Sequence, residues 1–240
     1  LHDSLPIWTD ETITLILADD HAIVRAGLRE LLQKRPRLQV VAETDNGIAT
    51  IQAVKDLRPH IVIMDISMPE MNGIEATRQI VAEMSATKVI ALSMHTDERF
   101  VANMLGAGAS GYLLKNSASE EELTRAIDAV MRGQIYVTSS LISTVAEELA
   151  KYTRGERPQN DLLTPKEKQV LQLLAEGRST RHIAAALMVS TKTVEKHREH
   201  IMDKLDVHSI AELTKFAIRE GYTSLGGSYQ TVPPPPLAEG

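Results

Sequence analysis

The chain has 240 residues, 43% of them hydrophobic but only 3% aromatic, so one or two domains can be filled with aliphatic cores. It has no cysteine, which excludes disulfides, thiolate metal sites and cysteine nucleophiles and fits a reducing compartment. The net charge of −6 is uneven: residues 161–221 carry ten Lys/Arg against nine Asp/Glu (+1), and the rest carries sixteen against twenty-three (−7). The acidic N-terminal part suits a cation site, and the near-neutral C-terminal part attracts nucleic acid only weakly by charge alone.

Residues 1–11 have neither the basic start nor the apolar centre of a secretion signal and are expected to be a disordered leader. No apolar run approaches the roughly 20 residues of a membrane span. From residue 12 the pattern alternates. Near-continuous Val/Ile/Leu runs at 13–18, 38–42, 61–64, 89–92 and 112–114 read as buried parallel strands. Amphipathic stretches at 22–34, 47–57, 74–84, 98–105 and 120–131 separate them, the last opening on the Ser119-Glu120-Glu121-Glu122 capping box. Five βα units over 12–134 define an α/β, doubly wound, five-stranded parallel sheet.

At Gly133 the alternation stops. Residues 135–160 are expected to form a linker with one short helix, capped by Ser139 or Ser140 and burying Ile142, Val145 and Leu149, followed by the polar stretch 152–160. Residues 161–222 are helical throughout. Thr164-Pro165-Lys166-Glu167 supplies an N-cap, a first-turn proline and a capping glutamate. Val170, Leu171 and Leu174 line that helix and Gly177 stops it. Ser179, Ser190 and Ser209 start three more, a spacing that fits a helix-turn-helix module with one extra helix. The tail, 223–240, holds four consecutive prolines and is expected to be disordered.

Five polar side chains fall at the C-terminal ends of expected strands: Asp19 and Asp20, Asp65, Ser93, and Lys115. In a doubly wound sheet those ends line the ligand crevice. Taken singly, each has a plain role as a helix cap, an Asx turn, a strand-end serine or a solvated lysine. Their joint placement on four strands is what capping does not explain. Asp20 and Asp65, with a backbone carbonyl near Ser67, form a site for Mg2+, which would offset the repulsion between a phosphoryl donor and three carboxylates. Asp65 is then the nucleophile, Lys115 a point charge for a phosphate oxygen, and Ser93 a hydroxyl donor.

These runs, 17–21, 63–73, 91–93 and 111–115, resemble a bacterial response-regulator receiver domain, of flavodoxin-like fold. The C-terminal helices look like a LuxR-type helix-turn-helix, and together the halves resemble the NarL/FixJ class. The resemblance implies a cytoplasmic two-component transcription regulator whose Asp65 takes a phosphoryl group from a sensor histidine kinase. It implies Asp20 and Asp65 as direct Mg2+ ligands, Asp19 acting through water, and Ser93 with Tyr112 as a switch pair. It implies double-stranded DNA as a partner, no membrane partner and no turnover enzyme. On the helix after Ser190 the outward face offers Lys192, Thr193, Glu195, Lys196, Glu199 and His200. Thr180, Arg181, Lys192, Thr193, Lys196 and Arg198 are the expected DNA contacts, with His197 nearer the inner face. Glu195 departs from the basic residue common at that place in the family, so no operator sequence is carried over.

A module of charge +1 should bind DNA weakly as a monomer, which favours a homodimer when phosphorylated; Ile210, Leu213 and Ala217 are the expected dimer face. The receiver is expected to pack on the recognition helix in the inactive state. Ser67 and His95 flank the acceptor and could tune its lifetime. Among the rivals, an aspartyl-phosphate phosphohydrolase would need an acid where the chain has Ser67. A nucleotide-binding protein would need a Gly-rich phosphate loop, and none follows any strand. A small-molecule-sensing LuxR-type regulator would have no use for the metal-and-lysine constellation.

Overall fold

The computed structural model describes residues 12–94, 96–153 and 162–223. The expectations for the leader, for His95 and for most of the linker and tail therefore lie outside the described residues.

The strands are β1 (Ile13–Ala18), β2 (Leu38–Thr44), β3 (Ile61–Asp65), β4 (Lys88–Ser93), β5 (Gly111–Leu114) and β6 (Tyr136–Val137). They form one sheet in the order β2-β1-β3-β4-β5-β6, with all neighbouring strands parallel. The helices between them are α1 (Ala22–Gln33), α2 (Gly47–Leu57), α3 (Gly73–Glu83), α4 (Glu98–Gly106) and α5 (Glu120–Met131). Alternate strand residues serve two cores. Leu15, Leu17, Ile61, Ile63, Ile90 and Leu92 pack under α1 and α5, whereas Ile16, Ala18, Val62, Met64, Val89 and Ala91 pack under α2, α3 and α4. Both faces are covered, so the strands read as unbroken apolar runs rather than alternating ones.

The sixth strand corrects the expected five. Tyr136 and Val137 pair with Gly111 and Tyr112, so the sheet extends past residue 134. Two residues are too few to show a period. A 3-10 turn (Ser139–Leu141) then leads into α6 (Ile142–Thr153). The expected burial of Ile142 is also corrected: it is 60% exposed, and Leu141, one position earlier, takes the core site with Val145 packed beside it.

The second body comprises α7 (Pro165–Ala175), α8 (Thr180–Ala186), α9 (Thr191–Leu205) and α10 (Ile210–Arg219). The Thr164–Glu167 capping box forms in both directions, and Ser179, Ser190 and Ser209 each accept from a backbone N–H in the first turn. Gly177 ends α7 at φ +74°, where a Cβ would be strained. The core joins Val170, Leu171 and Leu174 to Ile183, Leu187, Val194, Ile201, Leu213, Phe216 and Ala217.

Leu213 and Ala217 correct the expected dimer face. Both are 0% exposed inside this core, and only Ile210, at 43%, still faces outward. An apolar stripe on the last helix is what the domain needs to close itself, and that demand is met first.

The two bodies touch. Helix α7 is buried almost all round: one side faces its own core, and the other lies on the β3–α3 loop of the sheet domain. Gln172 Oε1 accepts from the Asn72 N–H at 2.9 Å, and Gln172 Nε2 donates to the Met68 carbonyl at 2.9 Å. The end of α10 reaches α4. Asn103 Nδ2 donates to the Glu220 carbonyl at 3.5 Å, and the Arg99 guanidinium lies 3.8 Å from Glu220 Oε1. A Cβ on Gly221, at φ +78°, would come within 2.6 Å of the Phe100 ring. The docked elements are thus α7 and the end of α10, not the recognition helix that the sequence led us to expect. Lys192, Glu195 and Lys196 on α9 remain exposed.

Candidate phosphoryl-acceptor and metal site

Asp19 and Asp20 follow β1, Asp65 ends β3, Ser93 ends β4, and Lys115 follows β5. Parallel strands in register bring all of these ends to one edge. Lys115 Nζ sits between two carboxylates, 2.7 Å from Asp19 Oδ2 and 3.0 Å from Asp65 Oδ1. The Ile66 N–H also donates to Asp65 Oδ1, at 2.9 Å, which fixes the carboxyl's rotamer. Asp19 Oδ1 accepts from the His21 N–H at 2.9 Å, and the Arg25 guanidinium donates to the Asp19 carbonyl.

One oxygen or nitrogen from each of Asp19, Asp20, His21 and Asp65 falls within 4.8 Å of all the others. Two carboxylate oxygens of these residues, Asp19 Oδ2 and Asp20 Oδ1, are buried and meet no donor at hydrogen-bonding angles. Lys115 Nζ at 2.7 Å and His21 Nδ1 at 2.6 Å offset their charge without filling their lone pairs. Buried carboxylate oxygens left in this way are costly unless a cation completes them. The donor set, all carboxylate but for one imidazole, therefore fits a hard divalent ion.

Asp65 is 4% exposed, and burial pushes its carboxyl up to about 6 although Lys115 pulls the other way. Burial also raises Asp20, against the opposing pull of His21. For Lys115, burial acts to lower the ammonium, but Asp65 and Asp19 outweigh it and hold the charge above its ordinary range.

The loop after Asp65 is closely fitted. The Gly73 N–H donates to the Ile66 carbonyl at 2.9 Å, and a Cβ at Gly73 would stand 2.0 Å from the Asp65 carbonyl oxygen. Glu70 is held at φ +65°, a left-handed conformation that costs a non-glycine residue about 1–2 kcal/mol. Ser93 and Tyr112 are both fully buried and share a hydrogen bond; burial raises the Tyr112 phenol further out of reach of ionisation.

The site therefore gathers Asp19, Asp20, Asp65 and Lys115, with the Ser93–Tyr112 pair on the adjoining strands. His21 joins it without an expectation from the sequence. Its position directly after the acidic pair was the one available signal, and its half-exposed ring turns back onto Asp20. The expected DNA contacts lie together at the start of α8 and along α9. Arg181, Lys192 and Lys196 are exposed, Thr180 and Arg198 are half-buried, and the Thr193 hydroxyl lies 2.8 Å from the Ser190 cap.

Comparison with known proteins identifies both bodies. Residues 15–128 match the family described as "Response regulator receiver domain", and residues 161–217 match "Bacterial regulatory proteins, luxR family". The chain belongs to the NarL/FixJ class of two-component response regulators, with a LuxR-type DNA-binding domain. Among its relatives is the oxygen regulatory protein NreC of Staphylococcus epidermidis, 36% identical over 212 residues, which are 86% of this chain and 97% of that protein. Among solved structures, the RcsB response regulator of Salmonella typhimurium is 28% identical with a TM-score of 0.61, covering 88% of this chain and 100% of the other. RcsB bound to a promoter in the presence of phosphomimetic beryllium fluoride is 29% identical with a TM-score of 0.58, covering 86% and 98%. Among the described residues no helix is long and apolar enough to cross a membrane.

Proposed function

We propose that Asp65 accepts a phosphoryl group from the phosphohistidine of a sensor kinase, and that the acyl phosphate controls dimerisation and promoter binding. One observation carries this reading: a desolvated carboxylate paired with Lys115 and set beside two further aspartates on a single strand edge. In the transfer the P–N bond of the donor breaks and a P–O bond to Asp65 forms, while the imidazole leaves. Mg2+ held by Asp20, Asp65 and the Ser67 carbonyl, with Asp19 through water, would supply the charge neutralisation that such a transfer requires.

The chain's own groups do the rest. Lys115 holds Asp65 ionised in a dry pocket and then pairs with a phosphoryl oxygen. Ser93 gives a hydroxyl to the same group, and its hydrogen bond to Tyr112 links that movement to the ring. Ser67, two residues past the acceptor, cannot serve as the acid–base group that fast hydrolysis needs, so the protein is a switch rather than a turnover catalyst. On this reading it works in the cytoplasm, without a membrane partner. Its DNA contacts come from Thr180, Arg181, Lys192, Thr193, Lys196 and Arg198. That related RcsB forms dimers on DNA supports a dimeric active state, and the outward side of α10 around Ile210 is the surface this chain offers.

The test is direct. Incubation with Mg2+ and acetyl phosphate should give one acid-stable, base-labile adduct per chain. Asp65→Asn should abolish it, and an adduct that persists in that variant overturns the assignment.

A further inference from the structure

His21 is the one residue of the site with no part in the function described so far. It stands at the start of α1, directly after the acidic pair, and its side chain makes no capping bond to that helix. The half-exposed ring turns back on the carboxylates instead. Its Nδ1 lies 2.6 Å from Asp20 Oδ1 and 3.3 Å from Asp19 Oδ1. The shorter contact is not a hydrogen bond. Asp20 Oδ1 is buried, on a side chain only 8% exposed, and meets no donor at hydrogen-bonding angles, so a proton on Nδ1 would not point at it. Nitrogen and oxygen stand side by side, as two donors do when both face a third, positive centre. Donors at right angles about an ion at roughly 2.0–2.1 Å are about 3 Å apart. The two spacings at His21 lie on either side of that value.

The surrounding groups leave these two atoms free. Asp19 Oδ1 accepts from the His21 N–H, and Asp19 Oδ2 faces Lys115. Asp65 Oδ1 accepts from the Ile66 N–H and also faces Lys115. We infer that His21 Nδ1 is a ligand of the ion at this site, so that the chain holds a divalent ion of the Fe2+, Co2+ or Zn2+ kind more tightly than Mg2+. This rests on the cluster being the ion site of phosphoryl transfer, and it names the ion that site prefers. Mg2+ is hard, takes oxygen and keeps its water, and gains little from an imidazole. The later first-row ions bind imidazole well. Asp20 and Asp65 alone serve either kind of ion, so the nitrogen is what separates them. With Nδ1 on the ion, the ring proton sits on Nε2.

The test uses the tag-free full chain and two variants. His21→Phe keeps a ring without a donor, and His21→Gln offers an oxygen in place of the nitrogen. Co2+ and Mg2+ affinities are measured by titration calorimetry, and far-UV circular dichroism confirms folding. The Co2+-loaded chains are also examined by proton NMR for the strongly shifted, exchangeable N–H of a coordinated imidazole. The parent should bind Co2+ more tightly than Mg2+. Both variants should lower the ratio of Co2+ to Mg2+ affinity roughly tenfold or more, the scale on which metal sites respond to loss of a supporting side chain. One shifted N–H signal should be present in the parent and missing from both variants. An unchanged ratio, or a parent spectrum with no signal that depends on His21, overturns the assignment. If the parent binds neither ion, it is the reading of the cluster as a metal site that fails, so the two failures are separable.

Discussion

Asp65→Asn isolates what the acceptor costs the fold. In the metal-free protein the carboxyl is pushed from 3.8 up to about 6, burial outweighing the attraction of Lys115. At about 1.4 kcal/mol per tenfold change in proton affinity, ionising it in place costs about 3 kcal/mol. The direction follows from proton counting. Between pH 3.8 and about 6 the folded chain binds more protons at this site than the unfolded chain, so stability falls as pH rises through that window and stays reduced above it. Asparagine never ionises. At pH 7.5 and without divalent ions, the variant should therefore be more stable than the parent by up to about 3 kcal/mol, less what Lys115 loses when one of its two carboxylates is removed. With a urea slope of about 2 kcal/mol/M the unfolding midpoint moves up by about 1 M. Below pH 4 the two chains should converge. Saturating Mg2+ should close the gap from the other side, since an ion that binds only the folded parent adds about 2.7 kcal/mol at a hundredfold excess over its dissociation constant. The assay is urea denaturation followed by circular dichroism at pH 4, 6 and 7.5, with and without Mg2+. A variant no more stable than the parent at pH 7.5 without metal, or a gain independent of pH, refutes this account of the site as a desolvated, metal-seeking cluster.

Other expectations concern the frame and the DNA-binding half. Gly73→Ala places a methyl against the Asp65 carbonyl, so it should cost about 3 kcal/mol in urea unfolding and also remove the phosphoryl adduct. Leu213→Ala should destabilise the C-terminal domain by about 2–5 kcal/mol because the side chain is fully enclosed, whereas Ile210→Ala should cost about 0.5 kcal/mol or less and act, if on anything, on the dimer constant seen by sedimentation. Lys196→Ala should weaken binding to all duplexes alike and lower the slope of log affinity against log salt by about 1, whereas loss of sequence preference alone would mean that the side chain reads a base.

The acceptor site was legible because its parts are covalently tied to the ends of apolar runs. Once Ile61, Val62, Ile63 and Met64 are known to form a buried strand, the placement of Asp65 follows, and Lys115 follows from Leu113 and Leu114 in the same way. What lay beyond the sequence were choices between equivalent partners. Ile210, Leu213 and Ala217 form an apolar stripe that suits a dimer as well as a core, and only the packing of α7 against α10 decides for the core. Lys168, Gln172 and Glu176 form a polar stripe on α7 that reads as a solvated face, yet their side is buried against another domain. Tyr136 and Val137 had too few residues to show a strand period, and His21 is placed by a ring rotation that no spacing encodes.

The polar character of that second face of α7 matters for how a small ligand could act at a distance. An apolar interface of the same extent would draw on the full benefit of burial and hold the domains together against any change in one loop. Here the joint between loop and helix consists chiefly of three hydrogen bonds to backbone groups, each contributing about 0.5–1.5 kcal/mol net. Their sum is comparable to the 1–3 kcal/mol by which two coupled sites typically influence each other. One of them also stabilises Glu70 in a conformation it would otherwise leave, which returns part of that gain. Under the proposed function, a phosphoryl group on Asp65 would make contacts, to Lys115 and a divalent ion, that are charged and therefore individually stronger than any of these three bonds.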